Sequence, residues 1–213
     1  MKLAFEQSSL RTSTADVTAL FVHQDKSLFI SETSSIARKL GVRMPAVETG
    51  DFAGKEGDAI VLYASRAGKA RRIILVGLGE RQKLSPERFR RCGAMAAKRA
   101  RALKAKSLSI FVPPALAAFE SVVTAIAEGA FLGLYRFDKY VSKKSDAPPS
   151  LEQITLSTED SGKVARGRTA VLRAQIVCEA TILARNLANA PGNEIYPETL
   201  AEAARLSAQR SQY

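Results

Sequence analysis

Short, nearly unbroken apolar runs alternate along this chain with longer segments whose apolar residues recur at helical spacing. Lys2–Glu6 and Asp16–His23 read as short strands, the second through Val17, Leu20, Phe21 and Val22. Ala59–Ala64 and Arg72–Val76 are continuous apolar runs, the pattern of strands covered on both faces. Leu108–Val112 is a further strand, closed by Pro113 and Pro114. Ser34–Leu40 reads as a helix that stops at Gly41, the residue best able to adopt the left-handed conformation of a helix end. Gly50 to Gly57 is a glycine-punctuated loop.

The helix predicted over Pro86–Lys104 carries its own start signals. Ser85 can cap it, Pro86 fits the first helical position, and Leu84 can staple onto Phe89. Phe89, Cys92, Ala96, Ala100 and Leu103 fall on one stripe, which must face a core. A second helix is expected over Leu116–Leu134, with Val122, Ile126 and Ala130 on a shared face. Asp146 to Ser150 reads as a surface turn or short linker. Such alternation predicts an α/β domain with a largely parallel or mixed sheet.

Past residue 160 the strand pattern stops. Lys163–Leu187 reads as one long helix whose apolar residues surround much of its circumference, so it is expected to be wedged between this domain and something else. Asn189 to Asn193 breaks it, and Pro197 opens a final helix, Glu198–Gln209. Roughly fifty residues are too few for a second independent core. The expected organisation is one domain over residues 1–160, with residues 161–213 a connecting helix and the first helices of another.

At 46% hydrophobic and 25% charged, the composition is that of an ordinary globular chain and excludes collagen-like or wholly disordered classes. No run approaches the ~20 apolar residues that cross a bilayer, and the amino terminus lacks the pattern of a secretory signal. A soluble cytoplasmic protein is expected, with no membrane partner. The net charge of +11 is concentrated: residues 66–106 hold 14 basic side chains against Glu80 and Glu87, a balance of +12.

Candidate chemistry is sparse. Gly77-Leu78-Gly79 follows a strand and precedes a helix, but the third glycine of a dinucleotide loop is missing, so a tight strand-end turn is expected. Gly50 to Lys55 has three residues between its glycines where a P-loop has four, and Glu56 stands where Ser or Thr is required. There is no G-x-S-x-G elbow. His23, the single histidine, is expected to be structural or exposed. Cys92 and Cys178 read as small core residues. No residue is assigned as catalytic, cofactor-binding or metal-binding. The basic segment is the one candidate site. Arg88, Arg90, Arg91, Lys98, Arg99, Arg101 and Lys104 could neutralise phosphates of DNA. Against that, Phe89 is the lone aromatic residue there and faces the core, so base stacking has no platform.

Four strings in order then resemble the amino-terminal half of the leucyl (cytosol) aminopeptidase family. They are Phe52 to Gly57; Arg72 to Gly79 with Leu84 to Arg91 after it; Glu128 to Tyr140; and Ala184 to Asn193 followed by Pro197 to Ala201. The resemblance implies a macro-domain-like α/β domain, a mixed sheet flanked by helices, followed by the long helix that crosses to the catalytic domain and a short C-terminal helix. One departure is Tyr196, where the family commonly has Thr, which leaves that helix without a short hydroxyl at its cap.

The resemblance further implies a cytoplasmic, usually hexameric enzyme that releases amino-terminal residues from peptides with two divalent metal ions, Mn or Zn. Paired metals of that kind activate water and polarise the scissile carbonyl. The ligands known for the family are expected beyond Tyr213, so none is carried onto a residue here. The expectation is a portion that is inactive alone and binds no cofactor itself, serving assembly and active-site access. A DNA-binding module is the alternative. An ADP-ribose role comes third, since no glycine loop for phosphate supports it.

Overall fold

In the computed structural model, residues 1–66, 69–113, 118–141 and 151–210 are described. Six strands form one sheet: β1 (Lys2–Gln7), β2 (Val17–His23), β3 (Ala59–Arg66), β4 (Lys69–Gly79), β5 (Ser107–Phe111) and β6 (Gln153–Thr158), in the order β1-β6-β5-β2-β4-β3. All neighbours run parallel except β3, which closes the edge antiparallel to β4. The helices are α1 (Lys26–Leu40), the single-turn α2 (Pro45–Glu48), α3 (Pro86–Ala102), α4 (Phe119–Leu132), α5 (Val164–Asn189) and α6 (Pro197–Arg210). A mixed sheet flanked by helices, then a long and a short helix, is the architecture expected from the sequence.

Alternation along the central strands divides the interior. On β2, Val17, Ala19 and Phe21 join the larger core, which Ile74, Val76, Leu108, Ile110 and Ile154 share under α3, α4 and α5. Leu20 and Val22 point the other way, into a smaller core with Ile73, Leu75, Phe52 and Ile36 of α1. Both faces of β2 and β4 are therefore covered, which is why their sequences read as unbroken apolar runs.

Helix α3 begins as expected: Ser85 Oγ accepts the Arg88 N–H at 3.3 Å, and Phe89, Cys92, Ala96 and Ala100 are buried in one stripe. Against it lies α4 at backbone contact, because a Cβ on Gly129 would sit 1.8 Å from the Arg90 carbonyl oxygen. Gly41 ends α1 at φ 64°, as its glycine predicts.

Several elements differ from the sequence reading. Helix α1 starts at Lys26, eight residues before Ser34, and α2 has no counterpart in that reading. Strand β6 has none either. Its Ile154 and Leu156 enter the main core, but the alternating Thr155 and Ser157 are also buried, so the segment lacks an apolar run. Leu116 and the Asp146 to Ser150 turn lie outside the described residues.

Helix α5 is covered by the domain on one side only. Gly167, Ala170, Val171, Ala174 and Cys178 are buried against the domain, yet Leu172 and Ile176 remain 60% and 61% exposed. The helix has two apolar stripes on opposite sides, and the domain covers one. A residue advances about 100° along a helix, so Leu172, Ile176 and Leu183 share a face roughly opposite Ala174.

Candidate functional site

The seven basic residues singled out in the sequence are not gathered into a free cationic face. Arg88 pairs with Glu56 at 2.6 Å and donates to the Glu80 carbonyl at 3.2 Å. Arg90 reaches Glu128 through Nε and Nη2 at 2.9 and 2.7 Å, and Glu87 through Nη1 at 2.5 Å. Arg91 bridges Glu87 and Glu56, while Arg101 donates to the Leu134 carbonyl. These four are committed within the fold. Lys98, Arg99 and Lys104 are exposed, and no carboxylate pairs with them among the described residues. The side chains of Arg66, Lys69 and Arg71 lie outside the described residues.

The two glycine segments meet each other. Gly79 N–H donates to the Gly54 carbonyl at 2.9 Å, and a Cβ on Gly54 would lie 2.5 Å from the His23 carbonyl oxygen. Their glycines are backbone-contact positions at the end of the sheet, in keeping with a tight strand-end turn. His23 is structural: its Nδ1 lies 2.7 Å from Glu32 Oε1, and Glu32 Oε2 accepts the His23 backbone N–H at 2.8 Å. One carboxylate thus ties the end of β2 to α1.

Beside this pair is a crevice of about 540 Å³ at the carboxyl ends of β2, β4 and β5, lined by residues that include Phe21, His23, Leu78, Phe89 and Ser121. Open α/β sheets place ligands at that edge. Here two of its polar groups already have partners, Glu32 on His23 and Ser85 on the first turn of α3.

Neither thiol is poised as a nucleophile. Burial pushes Cys92 up to about 12, helped by the Glu56 charge, and pushes Cys178 up to about 11, helped by Glu128. Both stay protonated at neutral pH, and the Cys92 thiol donates to the Gly77 carbonyl across 3.5 Å. Among the described residues no group of three His, Cys, Asp or Glu side chains could hold a metal ion. The described residues therefore do not fit a two-metal centre, and no hydrolytic step is derived from them. No helix among them is long and apolar enough to cross a membrane.

What remains unpartnered is an arm, built from the outer stripe of α5 and from α6. Leu172, Ile176, Val177, Leu183, Leu200 and Leu206 are all exposed there. An apolar groove of about 470 Å³ separates the two helices, between Leu183 and Leu187 on one side and Leu200 and Ala204 on the other. At the start of α6, Thr199 bonds back to the position that Tyr196 occupies. Thr199 Oγ1 reaches back from the first turn to accept the Tyr196 N–H at 2.9 Å, the reciprocal bond of a capping box, while the Tyr196 side chain caps none of the first-turn N–H groups. This arm is the feature that sequence reasoning assigned no residues to, although the circumferential apolar pattern of α5 was its signal.

A compact α/β domain with a projecting helical arm is the class of protein these observations define. The profile of the cytosol aminopeptidase family's N-terminal domain matches residues 20–144, and the chain belongs to that family. It is 34% identical over 191 residues to a probable cytosol aminopeptidase of Aquifex aeolicus, covering 90% of this chain and 37% of that protein. A probable cytosol aminopeptidase of Roseiflexus castenholzii is 38% identical over 167 residues, covering 75% and 33%. Among solved structures, a mutant of tomato leucine aminopeptidase superposes with TM-score 0.75 at 25% identity, covering 99% of this chain and 42% of that one. The bottromycin maturation enzyme BotP in complex with Mn gives TM-score 0.70 at 26% identity, covering 93% and 37%. The chain thus spans about two fifths or less of the length of these relatives.

Proposed function

We propose that this chain is the amino-terminal, non-catalytic portion of a cytosol aminopeptidase, an assembly and access module that does not hydrolyse peptides by itself. Residues 1–160 form the module proper. Residues 161–213 are the connection to a metallopeptidase domain, which holds two divalent ions, Mn or Zn, and takes peptides as substrates. The working enzyme is cytoplasmic and a homo-oligomer, a hexamer as the family resemblance implies.

The observation that carries this reading is the double-sided α5. A helix that were simply the last element of a closed domain would present a polar outer face. This one keeps Leu172 and Ile176 in water, opposite a stripe that is already buried. Truncating both against a partner domain would remove several kcal/mol of burial, at roughly 1.5–3 kcal/mol per leucine or isoleucine.

The test is binding to the remaining, carboxyl-terminal part of the Aquifex aeolicus relative, produced separately and titrated calorimetrically with this chain. Binding that disappears in Leu172→Asp/Ile176→Asp is expected. No binding, or equal binding by the double variant, contradicts the reading.

A further inference from the structure

Helix α5 is 26 residues long, or about 39 Å at 1.5 Å per residue. Its fully buried stripe ends at Cys178. The eleven residues beyond, through Asn189, extend about 16 Å further. Their surroundings are open: Leu183, Ala184, Arg185 and Asn186 are all exposed, and only Ile182 packs on the main core in part. A swing of about 20° at Cys178 would carry the tip about 5 Å, so something must fix its direction if a surface is to dock on it.

The segment following α4 does this. Tyr135 Oη donates to Asn186 Oδ1 at 2.9 Å and accepts from Asn189 Nδ2 at 3.1 Å. Asn186 and Asn189 are one turn apart, so a single hydroxyl grips one face of the last turn of α5. The Arg185 guanidinium lies over the Tyr135 ring, 5.5 Å from its centre, adding a cation–π contact from the same turn. Four residues on, the Lys139 ammonium pairs with Glu194, in the bend between α5 and α6. Tyr140 stands beside that pair, with the Phe137 ring edge-on to it at 5.7 Å and Lys139 5.6 Å over its face. The Lys139 ammonium holds the Glu194 carboxyl below its ordinary range, as a formed pair should.

We propose that Tyr135–Tyr140 is a strap that sets the angle at which the end of α5 and the α5–α6 bend leave the domain, with Tyr135 as its positioning residue. The strap joins α4, which is buried in the core, to a part of the chain that has no core of its own. Each contact is solvent-exposed and individually weak. Together they act at two points, on the last turn and on the bend, which restrains direction where one contact would permit pivoting. This inference concerns the orientation of the arm and stands whatever docks on it.

The experiment is a spin-label distance measurement in the 213-residue chain carrying Lys26→Cys and Glu198→Cys, both exposed positions. With Tyr135 intact, a single narrow distance distribution is expected. Tyr135→Phe keeps the ring and the guanidinium contact but deletes both hydrogen bonds, and it should broaden the distribution about twofold or more. Tyr135→Ala should broaden it further. A distribution already broad with Tyr135 present, or a width unchanged in both variants, overturns the proposal. Circular dichroism on each variant separates this local effect from unfolding, since α4 and the sheet should retain their signal.

Discussion

Gly77 lies against the carbonyl of Lys55 so closely that a Cβ added to it would sit 2.0 Å from that oxygen. The contact locks the Gly50 to Gly57 loop to the end of β4, with the Gly77 N–H donating to the Asp58 carbonyl at 2.9 Å. Both partners are backbone, so neither can move aside cheaply. Gly77→Ala should therefore destabilise the fold by about 3 kcal/mol, the upper range for overpacking. Urea unfolding is the check, and a loss below about 0.5 kcal/mol would show that the loop relaxes.

Asp16 joins the start of β2 to the start of β5. Its Oδ2 accepts the backbone N–H groups of Lys106 and Ser107 at 2.8 and 3.1 Å. The Lys106 bond is the chief reason its carboxyl ionises below the ordinary 3.8, against a smaller opposing effect of burial. The folded state thus binds this proton less tightly than the unfolded state. Its stabilisation is present above the unfolded value of 3.8 and is lost as the pH falls from there through the lower folded value. Asp16→Ala should cost about 1 kcal/mol at neutral pH and less under acid. Chemical denaturation at pH 7 and pH 3 measures the difference, and an equal loss at both would refute the assignment.

The Arg90–Glu128 pair bridges α3 and α4 where the Glu128 side chain is 15% exposed. Removing either partner leaves the other short of a bond, although Glu87 still engages Arg90. Glu128→Ala should cost about 1.5 kcal/mol, and the double variant with Arg90→Ala little more than either single one. Thermal denaturation of the three variants gives the cycle. Strict additivity would mean that the pair contributes nothing as a pair.

The central strands were legible because β2 and β4 are covered on both faces, and α3 because Ser85, Pro86 and a regular apolar stripe agree with one another. Helix α1 was read too short. Its first half mixes Phe29 and Ile30 with Thr33, and the carboxylate of Asp25 accepts the Arg81 N–H at 2.7 Å instead of capping its own helix. Strand β6 was missed because its hydroxyl residues are buried beside β5, with Ser109 and Ser157 Oγ atoms 3.4 Å apart, where polar alternation normally signals exposure. The basic segment misled for a different reason. Its charge was counted along the chain, whereas Glu56 and Glu128, which engage Arg88, Arg90 and Arg91 within the fold, come from outside that stretch. The apolar circumference of α5 was visible, but a sequence cannot say which of two stripes the domain covers.

Whether these 213 residues hydrolyse peptides by themselves can be measured directly. Purified chain should be incubated with a leucyl chromogenic substrate in the presence of added manganese or zinc. Release indistinguishable from the metal-only blank is expected. Metal-dependent turnover that survives repurification would contradict it, because a hydrolytic centre would then reside within the chain.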